Sequence, residues 1–307
     1  MTMPRSLPIR FLLEEESMGQ GDETVYTIIG EPTPRVESRA KVSGAAKFTA
    51  DIDIPDVLWG KALHSPYAHA RILRIDVTKA RELSGVHAVI TGADVGRGLY
   101  GRLLKDIPAL AQDRVRFIGE RVAAVAAVDK ETARRALALI EIEYEELPAI
   151  FDPIAALEPD APILHPDFGS YPGARAADEP SNGFARTLTE RGDINAALAT
   201  ADVVVENTFR LQRMHQAYLE PQSVMVALEA GRVQVWTGSK TPYNAREALA
   251  TAVGVPEASV VLHPVLIGGD FGGKGTPSEF ANLLLPREGI GPSGADGPRL
   301  RRGVQSG

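Results

Sequence analysis

An apolar run, Val260 to Ile267, empties into Gly268-Gly269-Asp270-Phe271-Gly272-Gly273-Lys274-Gly275, five glycines in eight residues interrupted by one acid, one aromatic and one lysine. Glycine tolerates positive φ and carries no Cβ, so such a loop can lay bare backbone against a ligand and point successive N–H groups into one concavity. The next residues, Thr276-Pro277-Ser278-Glu279, have the order of an N-cap, a proline in the first turn and a reciprocating glutamate. Strand, glycine loop and helix start together make an anion or cofactor cradle the functional expectation. The plainer alternative is a strand-to-helix turn in which the glycines only relieve crowding. A third fits the spacing of a nucleotide-binding P-loop, Gly268-x4-Gly273-Lys274, but Gly275 stands where Ser or Thr would hold Mg²⁺.

With 307 residues, 44% of them hydrophobic and 24% charged, the chain has the composition of a globular protein of about two domains. A net charge of −7 argues against a broad electrostatic grip on nucleic acid. There is no cysteine, so disulfides, thiolate zinc sites and iron–sulfur clusters have no ligands here. Any redox chemistry must therefore pass its electrons to another subunit. No apolar run has the length of a membrane span, and Phe11-Leu12-Leu13 before Glu14-Glu15-Glu16 is too short for a secretory signal, so the expected compartment is the cytoplasm.

Along the chain, residues 1–25 are polar without a period and are expected to form a mobile arm. Val25–Ile29 has strand composition, and Arg35 to Asp51 is a basic loop preceding a strand. Two strands are expected within Leu58–Ile75, a short helix from Thr78 closed by Gly85, a strand over Val86–Ile90 and a buried strand over Arg121–Val128. Glu131–Leu139 carries a helical apolar stripe, and Ile140, Ile142 and Tyr144 alternate with glutamates on a strand with one wet face. His64 and His69 lie five apart, which does not place them on one helix face as a metal pair. Residues 151–191 have linker composition. Asp193 then caps a helix to about Ala201, Val203–Val205 opens a strand, Ser223–Leu228 and Arg232–Thr237 form a hairpin, and a helix starts at Thr241-Pro242 and stops at Gly254. Residues 287–307, rich in Gly, Pro and Arg, are expected to be disordered.

Several stretches taken together resemble a known family. Arg35 to Asp51, Leu63-His64-Ser65-Pro66-Tyr67-Ala68-His69-Ala70, Phe117-Ile118-Gly119-Glu120-Arg121-Val122-Ala123 and Tyr144-Glu145-Glu146-Leu147-Pro148 are similar, in order and spacing, to the hammerhead domain of the molybdenum-cofactor (large) subunits of the xanthine dehydrogenase and aldehyde oxidase family. Gly192-Asp193, His215 with Glu220-Pro221, Trp236-Thr237-Gly238-Ser239 and the glycine loop resemble the start of its molybdopterin-binding domain. The resemblance implies an α+β fold: a hammerhead α/β domain over 30–150, the linker, a partial molybdopterin-binding domain over 192–286 and the disordered tail. It also implies the N-terminal portion of a molybdenum hydroxylase subunit. Such an enzyme places a water-derived oxygen on an aldehyde, an N-heterocycle or a related small molecule. The cofactor would be a Mo-pyranopterin, in plain or dinucleotide form. Iron–sulfur and FAD centres would reside in a small and a medium partner subunit.

By the same resemblance Gly268, Gly269, Asp270, Phe271, Gly272 and Gly273 would border the cofactor, and Lys240 would neighbour the metal oxygen where many relatives have glutamine. Asp270 stands where the family usually has the third glycine of Gly-Gly-Gly-Phe-Gly, so Lys240 and Asp270 either mark a subgroup or pair with each other. His215 and Glu220 are the remaining polar candidates, with packing as their alternative role. The glutamate that serves the family as general base near the C-terminus has no counterpart in these residues, which predicts that this chain is inactive alone. A non-catalytic module docking on an iron–sulfur partner is the other expectation.

Overall fold

The structure, a computed structural model, describes residues 27–52, 57–95, 98–101, 104–174 and 181–275, and the backbone of 301–305. The arm expected over 1–25 and the capping box at 276–279 lie outside the described residues, as does the tail expected to be disordered, apart from 301–305. Contacts divide the chain into two units, 1–46 and 47–307. In the first, the stretch expected as a strand over 25–29 is a turn where it is described, with Gly30 at φ +90°. A strand needs a neighbouring edge, and the unit contains no other strand among its described residues. Part of the basic stretch read as a loop coils into one short helix, α1 (Ser38–Val42), whose Lys41 lies near Glu37 one turn back.

The second unit runs β1 (Val57–His64), β2 (Ala70–Asp76), α2 (Thr78–Glu82), β3 (Val86–Thr91), β4 (Leu99–Tyr100), β5 (Ile107–Pro108), β6 (Arg114–Val115), β7 (Arg121–Ala127), α3 (Lys130–Ala138), β8 (Glu141–Glu146), α4 (Ile194–Thr200), β9 (Ser223–Glu229), β10 (Arg232–Thr237), α5 (Pro242–Val253), β11 (Val260–Pro264) and β12 (Arg301–Gln305). Among the described residues, seven strands share one sheet in the order β11-β10-β9-β12-β1-β7-β3; β6-β2-β8 and the short β4-β5 pair stand apart.

Strand β7 shows why its sequence reads as an unbroken run of Val and Ala: Val122 to Ala127 are all fully buried. Period-two geometry sends Ala124 and Ala126 to one core, with Leu58, Leu110, Val224, Val235 and Leu249, and sends Ala123, Val125 and Ala127 to another, with Ala133 and Ala136 of α3. Small side chains on both α3 and β7 let helix and sheet approach closely. Asp129 caps α3 by accepting from Thr132 N at 2.7 Å. The expected wet face of β8 is present, with Ile142 and Tyr144 half-buried and Glu141 and Glu145 paired to Lys79 and Arg71 on the surface.

In the later part, Asp193 caps α4 through Ala196 N at 2.9 Å, Ala230 and Gly231 turn the β9–β10 hairpin with positive φ, and Gly254 closes α5 in the left-handed region. The strand expected at Val203–Val205 does not form. These residues are 77%, 59% and 76% exposed, and no described strand pairs with them. Conversely, 301–305 runs as β12 between β1 and β9 inside the stretch expected to be disordered. Backbone pairing asks only for free strand edges on either side, so this short segment can join a sheet with no hydrophobic pattern of its own.

Candidate functional site

Strands β10 and β11 are parallel neighbours, Val233 beside Val260 and Thr237 beside Pro264, joined by α5. Parallel strands deliver the loops that follow them to the same end of a sheet, where α/β proteins build their crevices. Gly238-Ser239-Lys240-Thr241 leaves β10 there, and the glycine loop follows β11 to the same place. The two loops are tied together: Lys240 N–H donates to Lys274 O at 3.3 Å, and the Thr241 hydroxyl donates to Gly275 O.

A third segment closes the site from the other side. Gln216, Tyr218, Glu220 and Gln222, every second residue before β9, all meet the glycine loop. Glu220 N–H donates to Gly268 O at 3.1 Å, and Gly268 N–H returns a bond to Glu220 Oε2 at 2.7 Å. The same carboxylate oxygen takes the Lys274 ammonium at 2.6 Å, with the lysine side chain 3% exposed and lying 4.9 Å from the centre of the Tyr218 ring. Gln222 Nε2 donates to the Tyr218 hydroxyl and to Gly273 O. A void of about 10 Å³, room for roughly one water, is lined by Glu220, Gln222, Thr237 and Lys274.

This packing separates the glycines by purpose. A Cβ on Gly268 would come within 2.6 Å of Glu220 Cβ, and one on Gly273 within 2.5 Å of Tyr218 Cε1, so these two are glycine because the protein's own side chains crowd them. Gly269 and Gly272 adopt φ of +102° and +94°, and a Cβ on Gly272 would meet nothing within 4 Å. Phe271 follows the same bend at φ +45° and is 75% exposed. Among the described residues the amides of Gly269, Asp270 and Phe271 have no acceptor. The lysine that P-loop spacing would send to a phosphate is the one committed to Glu220.

Lys240 and Asp270 pair: the ammonium donates to Asp270 Oδ2 at 2.9 Å. That oxygen also accepts from Gly272 N–H at 3.0 Å, and Oδ1 accepts from Lys274 N–H. The hydrogen bond from Lys240, followed by those two amides, holds the Asp270 carboxyl below its ordinary range. On the flank of the loop a cavity of about 140 Å³ is lined by Lys240, Thr241, Asn244, Gly275 and the Lys105–Glu247 pair.

His215 sits at the margin of this cluster on an exposed stretch. Its Nδ1 accepts from Ala217 N–H at 3.0 Å and its ring is 5.2 Å from that of Tyr218. His69 bonds Pro148 O through Nδ1, and no group of three metal-ligating side chains occurs among the described residues. Tyr218 and Gln222 escaped notice in the sequence. The signal available was the spacing of polar side chains at 216, 218, 220 and 222, an alternation hidden in a segment with no strand composition.

Residues 43–148 match the family described as aldehyde oxidase and xanthine dehydrogenase, a/b hammerhead domain, and residues 176–285 match the molybdopterin cofactor-binding domain. The chain is 36% identical over 267 residues to a probable xanthine dehydrogenase subunit of Bacillus subtilis, covering 85% of this chain and 34% of that protein. It is 36% identical over 251 residues to the nicotinate dehydrogenase large molybdopterin subunit of Eubacterium barkeri, covering 81% of this chain and 56% of the other. Among solved structures it superposes on CO dehydrogenase from Oligotropha carboxidovorans with a TM-score of 0.78 and 31% identity, over 91% of this chain and 35% of that one. The chain thus belongs to the aldehyde oxidase and xanthine dehydrogenase family, as a hammerhead domain followed by the start of a molybdopterin-binding domain. It spans about a third to just over half of the length of these relatives.

Proposed function

We propose that the chain forms the part of a molybdenum hydroxylase that holds one side of its Mo-pyranopterin, against the loop Gly268–Gly273 at the carboxyl ends of β10 and β11. The observation that carries this reading is the set of amides at Gly269, Asp270 and Phe271, which have no acceptor among the described residues, on a bend kept open by Gly272. Such a surface suits an oxygen-rich group of the cofactor, so the residues fit it there. The Lys274–Glu220 pair and Tyr218 hold the bend in place. Lys240, through Asp270, sets the charge at its edge.

When bound, the cofactor supplies the two-electron oxidation that places a water-derived oxygen on an aldehyde, an N-heterocycle or a related substrate. The residues of this chain bind and orient: the amides donate, Phe271 offers an apolar ring, and the 140 Å³ cavity beside Lys240 gives room for a small group. Iron–sulfur and FAD centres in partner subunits would take up the electrons, since no cysteine is available here to hold a cluster. We place the assembly in the cytoplasm; among the described residues no helix is long and apolar enough to cross a membrane. The test is metal and pterin analysis of the chain purified with its neighbouring subunits. Molybdenum and pterin are expected in near-equal amount, and a folded complex with neither overturns the proposal.

One observation favours a second reading, a module that docks on an iron–sulfur partner without holding cofactor. Val203, Val205, Phe209, Leu211 and Leu219 are all between 76% and 95% exposed on one stretch outside helices and strands. Capture of an iron–sulfur protein by pterin-free chain supports it.

A further inference from the structure

We infer that Asp270 acts as an internal anion, a plug whose carboxylate occupies the oxyanion position of the glycine loop and so decides which ligand groups the loop admits. The inference rests on the reading of the loop as an anion-accepting surface and adds to it a residue that sets its selectivity.

Three donors from two loops converge on this one carboxylate: Gly272 N–H at 3.0 Å, Lys274 N–H, and the Lys240 ammonium at 2.9 Å from the turn after β10. An aspartate that merely stabilised its own turn would need only the first two. The third comes from a residue 30 positions away in the chain, on the rim of the 140 Å³ cavity. Two amides and a cation around one carboxylate are the donor set of an oxyanion site, and here the anion is supplied by the chain itself. The Asp270 side chain remains 22% exposed and that of Lys240 41%, so the plug is reachable from solvent and can be displaced.

The consequence is a division of the loop. A ligand group that touches only the amides of Gly269, Asp270 and Phe271 meets no competitor. One that reaches for the amides of Gly272 and Lys274 must expel the carboxylate and take over Lys240, and an anionic group is repelled while Asp270 stays in place. Removing the charge at 270 therefore converts the second half of the loop into a free site for a tetrahedral oxyanion.

The experiment uses the full chain with Asp270→Gly, Asp270→Asn and the double variant Asp270→Gly/Lys240→Met, titrated calorimetrically with inorganic phosphate and with molybdate at pH 7. The expected result is binding at least about 10-fold tighter in both single variants than in the parent, as for removal of a like charge in contact with the ligand, and loss of the gain in the double variant. Asp270→Asn keeps the size of the side chain, so the test stands if the glycine variant does not fold. Equal affinity in the parent and Asp270→Asn overturns the plug, as does a gain that survives loss of Lys240. The two readings fail separately. Molybdenum and pterin in the parent complex with no gain for Asp270→Asn defeats the plug alone, whereas a gain in phosphate affinity with a metal-free complex defeats the cofactor reading alone.

Discussion

Lys274 and Glu220, 54 positions apart, meet at 2.6 Å with side chains 3% and 14% exposed, and the same Glu220 oxygen accepts the Gly268 amide. This ion pair joins the start and the end of the glycine loop to the segment preceding β9. Removing one member strands a charge in a dry setting, whereas removing both does not.

Glu220→Gln or Lys274→Met alone is therefore expected to cost about 3 kcal/mol, and the double substitution distinctly less than the sum of the two. Urea unfolding of the four proteins in a double-mutant cycle measures this. Strict additivity would show that the pair is not coupled.

The two kinds of glycine in the loop should respond differently to alanine. Gly273→Ala puts a methyl 2.5 Å from Tyr218 Cε1, an overpacking worth about 1–3 kcal/mol that Tyr218→Ala should relieve. Gly272→Ala meets open space but keeps φ at +94°, a backbone cost of about 1–2 kcal/mol that the Tyr218 change should leave untouched. Melting temperatures of the single and paired variants separate the two causes.

On the other side of β10, Leu249 of α5 is 1% exposed among Val224, Val235 and Val253. Leu249→Ala is expected to destabilise the protein by about 2–5 kcal/mol. Because α5 lies between the two loops of the site, loosening it should also raise hydrogen exchange at the amides of residues 238–241; unchanged exchange there would detach the helix from the site.

His165 should impose a pH dependence on stability. Its ring sits edge-on to Tyr171 at 5.6 Å, and burial, reinforced by the Arg116 and Arg114 guanidinium groups and by His69, lowers its pKa from 6.5 to about 4. The unfolded chain takes up this proton near pH 6.5 while the fold resists it down to about 4. The stability contributed by the neutral ring is therefore intact above pH 6.5 and is progressively lost as pH falls from 6.5 to about 4. Melting temperatures at pH 7.5, 6 and 5 for the parent and His165→Gln check this. The parent should fall more steeply, and parallel curves would contradict the assignment.

Much of this arrangement was legible in the residues. Asp193 as a helix cap, Gly254 as a helix stop and the hairpin around Ala230-Gly231 are local signals that need no tertiary information, and each is where the sequence placed it. Val203–Val205 failed because strand composition does not create a neighbouring strand. Residues 301–305 were missed for the converse reason, since edges made elsewhere took in a segment with no pattern. At the site, the glycines and Lys240 could be named in advance, but the fact that Gly268 and Gly273 answer to Glu220 and Tyr218 could not. Crowding between segments some 50 residues apart leaves no periodic trace.

The place of β12 in the large sheet bears on how the protein comes to be folded. Its five residues lie between β1, which pairs with it in parallel, and β9, which pairs with it in the opposite sense. Each half of the sheet can assemble as it leaves the ribosome, but the row of seven can be closed only after this late strand has been made and threaded into the gap. Until then both halves carry a raw edge, open to strands from other nascent chains.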